Sequence, residues 1–186
     1  TDEVGRGPLA GPVVAASVIL PKDCETSLLD DSKKLSHKNR LRAIDYLHSI
    51  DTQIGIGIVD HHVIDRINIL QASLLAMKLS LEEINDKFGP PDYILVDGKF
   101  QVPYPVTQTT LIKGDSRSAS IAAASIIAKE KRDGIMADLH EKFPQYNFHK
   151  NQGYPTKEHR QAVEKYGPCP YHRVSFKGVK QFVPPK

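Results

Sequence analysis

The residues best suited to chemistry open the chain. Asp2 and Glu3 are followed within a few positions by Gly5, Arg6 and Gly7. Because neighbouring side chains on a strand point to opposite faces, Asp2 and Glu3 can serve one site only at a strand end or a bulge. The glycines leave main-chain N–H groups uncovered and Arg6 adds a planar guanidinium, so donors for a phosphate adjoin acids for a metal. The alternative is a turn that carries two solvated carboxylates.

Two further acids follow predicted strands. Asp97 ends the apolar run 93–96, and Asp115 precedes a predicted helix that begins near Ser120. A carboxylate at the end of a buried strand needs a charge partner such as a metal, although Asp97 could instead cap a turn. Asp115 could be a metal ligand or the cap of the helix, where a carboxylate favours the N-terminal dipole.

The four acids indicate one kind of metal chemistry. Asp2, Glu3, Asp97 and Asp115 supply only oxygen ligands, and no histidine lies beside them at zinc-motif spacing. Oxygen ligands favour Mg²⁺ or Mn²⁺ over zinc or copper. Two such ions can activate water and stabilise a leaving oxygen, which is the chemistry of phosphoryl transfer on a polynucleotide.

Composition predicts one globular domain with a small C-terminal appendage. The chain has 186 residues, of which 40% are hydrophobic and 25% charged, and no apolar run is long enough to cross a bilayer. Cys24 and Cys169 lie far apart without metal-finger partners, which is typical of reduced thiols in the cytoplasm. The start at Thr1 shows no secretory leader and predicts a first strand that is partly missing.

The C-terminal part differs from the rest in charge and aromatic content. Residues 142–186 carry nine Lys and Arg against two Glu, whereas the preceding part carries 16 basic and 20 acidic residues. Eight of the thirteen aromatic residues also lie here. Interleaved basic and aromatic residues suit a nucleic-acid backbone, although each aromatic residue singly could be part of the core. We therefore predict a catalytic domain over residues 1–142 and a basic, aromatic-rich extension over 143–186, packed on the same domain.

The elements that must position these residues alternate between strands and helices. Strands are predicted near Asp2 and over residues 13–20, 54–58, 93–96 and 106–112. Helices are predicted after Ser36 and over residues 65–86, 120–142 and 156–166. The helix after Ser36 should bury Leu41, Ile44 and Leu47, and Met77 should be a core residue.

Two other stretches bear on the site. The helix from Ser120 begins with unusually small residues, which permits a close approach to a crowded neighbour. Lys33 and Lys34 lie in a polar cluster before Ser36, where they could be a solvated helix entry or phosphate contacts.

The sequence resembles bacterial ribonuclease HII, a type 2 ribonuclease H, in seven motifs that occur in the same order. These motifs are Asp2-Glu3-Val4-Gly5-Arg6-Gly7-Pro8, Asp31-Ser32-Lys33-Lys34-Leu35, Val96-Asp97-Gly98, Lys113-Gly114-Asp115, Ile121-Ala122-Ala123-Ala124-Ser125-Ile126-Ile127-Ala128-Lys129, Arg132-Asp133 and Gly153-Tyr154-Pro155-Thr156. The match extends from Asp2 to about Lys177. Any single motif would be weak, whereas the ordered set is specific.

The resemblance implies a fold and a reaction. The fold would be α/β, a ribonuclease H-like mixed sheet flanked by helices, with a small helical C-terminal extension. The reaction would be endonucleolytic cleavage of RNA paired with DNA, including on the 5′ side of a single ribonucleotide in duplex DNA. The products would carry a 5′-phosphate and a 3′-hydroxyl, and the biological role would be ribonucleotide removal in replication and repair.

The resemblance also implies a role for individual residues. The catalytic acids, which would bind two Mg²⁺ or Mn²⁺ ions once substrate is present, would be Asp2, Glu3, Asp97 and Asp115. The residues that contact the 2′-hydroxyl, the flanking phosphates and the ribose at the RNA-to-DNA junction would be Gly5, Arg6, Gly7, Lys33 and Tyr154. The partner would be a nucleic acid rather than a membrane, and the enzyme would be a monomer.

Three alternatives stay open at this point. Ribonuclease HIII is a related enzyme to be excluded, and its opening motif lacks the Gly5-Arg6-Gly7 run. A non-catalytic nucleic-acid-binding module would explain the basic extension but gives the four acids no purpose. A DNA resolvase or strand-transfer enzyme of the same fold would need the acids without reading a 2′-hydroxyl.

Overall fold

A computed structural model describes residues 1–183. Within them the strands are β1 (Asp2–Val4), β2 (Val13–Ile19), β3 (Gln53–Val59), β4 (Ile94–Asp97) and β5 (Gln108–Leu111). The α-helices are α1 (His37–Ser49), α2 (His61–Phe88), α3 (Ala119–Lys142), α4 (Phe148–Asn151) and α5 (Lys157–Tyr166). Each predicted strand and helix is present, and the short α4 is an addition that the apolar pattern did not predict.

The strands form a mixed sheet whose two parts meet at Thr1. Strands β1, β2 and β3 pair antiparallel in that order, and β4 pairs parallel with β5. The amino group of Thr1 donates to the Leu95 carbonyl at 2.7 Å, and the Asp97 N–H donates to the Thr1 carbonyl at 3.0 Å. These two bonds place β1 beside β4, so Asp97 ends its strand next to Asp2.

Helix α2 covers one face of the sheet, and its backbone lies very close to strand β3. A Cβ atom at Gly57 would lie 1.9 Å from the Ala76 carbonyl oxygen, and one at Gly55 would lie 2.1 Å from that of Ser80. The glycines that alternate with isoleucine in β3 are therefore the face on which α2 packs. Met77 is buried in the same layer, as predicted.

The predicted start of α2 is wrong by four residues. The helix begins at His61, because the Asp60 side chain accepts a hydrogen bond from the Val63 N–H as an N-cap. Asn68 interrupts the helix with φ 67°, and its side chain accepts from the N–H groups of Leu70 and Gln71. The apolar pattern that predicted a start near residue 65 straddles this break.

Helices α1 and α3 cover the other face. The small residues Ala123, Ala124 and Ala128 of α3 pack on β2, which is the close approach that their size predicted. Ser36 caps α1, with its hydroxyl accepting from the Asn39 N–H. The apolar face predicted for α1 is partly wrong: Leu47 is buried, but Leu41 is 41% exposed because α1 covers only the margin of this layer.

The C-terminal part packs on the end of α3 and on the segment after β1. Tyr146 and Phe148 are buried there, whereas Tyr154 and Tyr166 are exposed, so the aromatic residues of this part serve both the core and the surface. Ala10 forms an isolated antiparallel bridge with His172. The division at residue 142 stays a prediction, and Lys186 of the extension lies outside the described residues. Across residues 1–183, no helix combines the length and apolar character needed to span a membrane.

Candidate active site

Asp2 and Glu3 lie on a strand only three residues long. Asp2 is buried, and one of its carboxylate oxygens accepts from the Glu3 N–H at 2.7 Å. The strand ends at Val4, and Gly5, with φ 97°, turns the chain away from the sheet. The Glu3 carboxylate accepts from the Arg6 guanidinium at 3.3 Å. Both acids thus lie on a strand too short to separate them from its end, and their sharing of one site stays a prediction.

Asp97 and Asp115 meet at the end of β4. An Asp97 carboxylate oxygen accepts from the Gly114 N–H at 2.7 Å, which fixes the 3₁₀ turn Gly114–Ser116 against the strand. Asp115 is carried by this turn. The cap interpretation of Asp115 is wrong, because the Ser118 hydroxyl accepts from the Ile121 N–H and caps α3. Asp97 therefore does hold a turn in place through one carboxylate oxygen, and its other oxygen is available for a second role.

The charges of the four acids act on one another. Burial raises the pKa of Asp2 well above its ordinary value, and the charges of Glu3 and Asp97 raise it further. Burial also raises the pKa of Glu3, and the charge of Asp97 raises it further, whereas the Arg6 guanidinium lowers it. The pKa of Asp115 is raised by burial, then by Asp31 and Asp97. Asp97 is therefore the common neighbour of the other three, and a cation among them would relieve the repulsion.

A cleft of about 460 Å³ opens beside Asp97 and Asp115. The Lys33 ammonium lies 3.9 Å from the Asp115 carboxylate, and its side chain is 77% exposed. Lys34 pairs with Asp30 instead, at 3.1 Å. Both lysines line the cleft. Lys33 lowers the pKa of Asp115 against the effect of burial, whereas Lys34 pairs with an acid of its own loop.

Gly5, Arg6 and Gly7 form a loop that is closely covered on its inner side. A Cβ atom at Gly5 would lie 2.3 Å from Nε of Arg132, and positive φ disfavours any side chain there. On the outer side, a Cβ atom at Gly7 would lie 3.3 Å from the ring of Tyr154. The structure therefore brings Tyr154 to the Gly5–Gly7 loop across almost the whole length of the chain.

Tyr154 presents its ring from a fixed backbone. Its N–H donates to the Asn151 carbonyl, and its carbonyl accepts from the Thr156 N–H, both at 2.8 Å. The preceding Gly153 has φ 78° and donates to the Asn151 side chain. Tyr154 as a whole is 43% exposed, so it is accessible to solvent beside Gly7.

Two buried arginines support this region, a role that sequence reasoning did not give them. Arg173 donates to the carbonyl oxygens of Gly5, Arg6, Gly11 and Pro12 at 2.7–3.1 Å. Arg132 donates to those of Ala10, Pro12 and Gln152 at 2.9–3.2 Å. Counting Arg173 among the phosphate-binding cations of the extension is wrong, because its side chain is fully buried. No local pattern marks it, since its partners are more than 160 residues away.

A pair of buried histidines lies behind Tyr154. His159 Nδ1 is 2.9 Å from the Tyr154 carbonyl oxygen, His159 Nε2 is 3.1 Å from His172 Nε2, and His172 Nδ1 accepts from the Cys169 N–H at 2.9 Å. Burial lowers the pKa of both rings, to about 4 for His172. Both histidines are therefore neutral near pH 7, and they connect α5 to the segment that carries Arg173.

Comparison with known proteins identifies the family of the chain. The Ribonuclease HII family profile matches residues 1–179. Ribonuclease HII of Desulfotalea psychrophila is 60% identical over 183 residues, which cover 98% of this chain and 81% of that protein. Ribonuclease HII of Geobacter sulfurreducens is 52% identical over 180 residues, covering 97% of this chain and 82% of that protein.

A solved structure gives the same result for the fold. The crystal structure of ribonuclease H2 from Pyrococcus horikoshii superimposes with a TM-score of 0.75 at 26% identity, covering 97% of this chain and 94% of that chain. The predicted ribonuclease H-like α/β fold is confirmed. The sequence match spans both the acids on β1 and β4 and the loop that faces Tyr154, and the chain therefore belongs to the ribonuclease HII family of endonucleases that act on RNA paired with DNA.

Proposed function

We propose that this enzyme cleaves at single ribonucleotides in duplex DNA as well as within the RNA strand of hybrids. The observation that carries the proposal is the contact between Gly7 and the exposed ring of Tyr154, next to the acids of β1. The ribose of a bound nucleotide would lie on the exposed side of Tyr154, beside the loop, with its phosphate toward the acids. Reading one 2′-hydroxyl is what separates a ribonucleotide from its DNA neighbours.

We propose Mg²⁺ or Mn²⁺ as the cofactor, bound by Asp2, Glu3 and Asp97 with Asp115 assisting. The donor set fits, because it contains only carboxylate oxygens whose charges oppose one another in the protein alone. Over residues 1–183, no three Asp, Glu, His or Cys side chains are close enough to surround an ion by themselves. Each ion would therefore be held by one or two of these carboxylates, with water and substrate phosphates as its other ligands, which is the usual coordination of Mg²⁺.

The metal ions and the residues of the site would each have a separate role in the reaction. When bound, two divalent ions supply activation of a water molecule and stabilisation of the leaving 3′-oxygen. Asp97, braced by the Gly114 N–H, keeps its free oxygen directed at the same place in every turnover. Arg6, hydrogen-bonded to Glu3, places a cation between the acids and the incoming phosphate. Lys33 extends from the cleft margin toward a flanking phosphate. The products would carry a 5′-phosphate and a 3′-hydroxyl.

The experiment uses three end-labelled duplexes of one sequence: all DNA, DNA with one ribonucleotide, and an RNA–DNA hybrid. Each is incubated with Mg²⁺, with Mn²⁺ and with EDTA. We expect cleavage of the second and third only, on the 5′ side of the ribonucleotide, and only with a metal. Ligation of the products tests for the 5′-phosphate and 3′-hydroxyl ends.

Each other outcome contradicts the proposal in a defined way. Cleavage of the all-DNA duplex would favour a resolvase, and cleavage of the hybrid alone would limit the enzyme to RNA stretches. Binding without cleavage in either metal would leave a nucleic-acid-binding module. Full activity in EDTA would remove the metal from the reaction.

We also infer that the enzyme acts as a monomer in the cytoplasm, with ribonucleotide removal as its role. Both Cys24 and Cys169 are free, which suits a reducing compartment. Light scattering of the purified protein, with and without duplex, tests the monomer.

A further inference from the structure

The Arg173 side chain sets the orientation of two peptide groups in the Gly5–Gly7 loop from the inner side of the loop. Arg173 Nη2 donates to the Gly5 carbonyl at 2.7 Å, and Nη1 donates to the Arg6 carbonyl at 3.1 Å. The peptide bonds are trans, so the C=O and the following N–H of one peptide point in opposite directions. With both carbonyls turned toward Arg173, the N–H groups of Arg6 and Gly7 point away from it.

Arg173 lies on the inner side of the loop and is itself firmly placed. Its side chain is fully buried, and Nε donates to the Gly11 carbonyl at 2.9 Å. Its backbone N–H donates to the Leu9 carbonyl at 2.8 Å, and the Phe176 ring lies 5.1 Å from the guanidinium carbon. The N–H groups that point away from this guanidinium therefore point toward the outer side of the loop. This is the side on which the ring of Tyr154 lies against Gly7.

The charge of Arg173 points to an anionic ligand on the outer side. Arg132 shares the Pro12 carbonyl with Arg173, so two guanidiniums lie side by side under the loop. In the part of the chain that the structure describes, neither forms an ion pair with a carboxylate. Burial and the neighbouring Arg132 lower the pKa of Arg173 to about 9, which keeps it charged at neutral pH. Two buried like charges with no ion-pair partner favour an anion close by.

We propose that Arg173 is a positioning residue for substrate recognition: it presents the Arg6 and Gly7 N–H groups to the ribonucleotide and its phosphate. This proposal rests on the proposed function. Arg173 does not touch the substrate; it fixes two donors that do. Only a planar fork can bind the Gly5 and Arg6 carbonyls together while Nε reaches Gly11.

The test is discrimination for the 2′-hydroxyl in the intact enzyme. KM for a duplex with one ribonucleotide is compared with the inhibition constant of the matching all-DNA duplex, and kcat is measured alongside. Arg173→Lys keeps the charge but can satisfy fewer of the four carbonyls. We expect the ratio of inhibition constant to KM to fall at least tenfold in Arg173→Lys, through KM more than kcat, with metal dependence unchanged.

Two control variants separate positioning from stability. Arg40→Lys makes the same change at a guanidinium that pairs with Glu130 and Asp133, at the contact of α1 and α3. Leu47→Ala lowers stability from a buried site on α1. Both should keep the wild-type ratio when assayed well below their unfolding temperatures. Arg173→Met removes all four hydrogen bonds. The folded variant should show no preference for the ribonucleotide duplex over the all-DNA duplex.

The results distinguish the two proposals. If the wild-type enzyme shows no preference for the ribonucleotide duplex, the proposed function fails. If it shows the preference and Arg173→Lys retains it, Arg173 is structural only and the present inference is overturned. The same holds if Leu47→Ala loses the ratio to the same extent at equal stability.

Discussion

At the scale of single residues, Asp97 holds a turn in place and, in the proposed function, binds a metal; changing one atom separates the two roles. One oxygen braces the Gly114 N–H, and an asparagine can keep that bond through its own Oδ1. We predict that Asp97→Asn folds normally and loses cleavage, because the charge required by a divalent ion is gone. Cleavage of a labelled hybrid in saturating Mg²⁺ or Mn²⁺, with thermal unfolding as the control, checks this. Near-normal turnover would remove Asp97 from the site.

Tyr154 gives a second prediction at this scale. A core aromatic residue costs about 3–5 kcal/mol when truncated to alanine, but Tyr154 is 43% exposed. We predict that Tyr154→Ala loses much less stability than that, yet strongly reduces cleavage at a single ribonucleotide. Tyr154→Phe should be intermediate, because it keeps the ring face beside Gly7. Unfolding and cleavage are measured on the same variants, and a large stability loss with unchanged junction cleavage would mean that Tyr154 only packs.

At the scale of elements, the two histidines behind Tyr154 have fixed protonation. The Tyr154 carbonyl can only accept, so His159 carries its proton on Nδ1 and accepts at Nε2. The Cys169 N–H can only donate, so His172 accepts at Nδ1 and donates from Nε2. The assignments agree with each other and require both rings to be neutral. A chain of hydrogen bonds thus runs in one direction from the C-terminal segment to the turn that carries Tyr154.

This arrangement predicts a pH dependence of stability. Burial lowers the pKa of His172 to about 4, below the ordinary value of 6.5. Between these values the unfolded chain binds more protons, so the free energy of unfolding should fall as pH drops from about 6.5 toward 4, by roughly 3 kcal/mol at most. His172→Phe should flatten this part of the curve, whereas His149→Gln, at an exposed ring, should not. Equal slopes in both variants would contradict the buried, neutral assignment.

The sequence predicted elements better than it predicted what the elements touch. Ser36 and Thr156 were recognisable caps because the cap and its N–H partner lie three residues apart. The start of α2 was missed because the apolar pattern continues across the break at Asn68. Arg173 looked like one more cation of a basic tail, because its carbonyl partners lie at the other end of the chain and leave no periodic trace.

The candidate site, too, was predicted from the sequence only in part. The type and order of the acids predicted the metal chemistry, and Gly5 and Gly7 predicted a bare loop. The meeting of Gly7 with Tyr154 depends on packing over about 150 residues, and only the resemblance indicated it in advance. The histidine pair had no signal at all, since His159 and His172 belong to no spacing that a local rule recognises.

At the scale of the whole molecule, the charge distribution predicts salt-dependent binding. The exposed cations of the C-terminal part include Lys150, Lys157 and Arg160, close in sequence to Tyr154. Each phosphate that a cation no longer neutralises should reduce the slope of log affinity against log salt by about 0.9. We predict a shallower slope when these three are changed to glutamine. Lys78 and Lys87, which pair with acids of their own helix, serve as the control. An unchanged slope would show that this part is a solvated surface.

The contacts of Arg173 also constrain when the enzyme can become active. The ribosome makes the Gly5–Gly7 loop long before Arg173, which follows Gly5 by 168 positions. Contacts of such separation form late, and N-terminal parts fold first during synthesis. The nascent chain therefore exposes its acids well before the loop can take its final shape. We expect an emerging, unfinished chain to bind duplexes without choosing among them, and selectivity to be acquired only after Arg173 has left the ribosome.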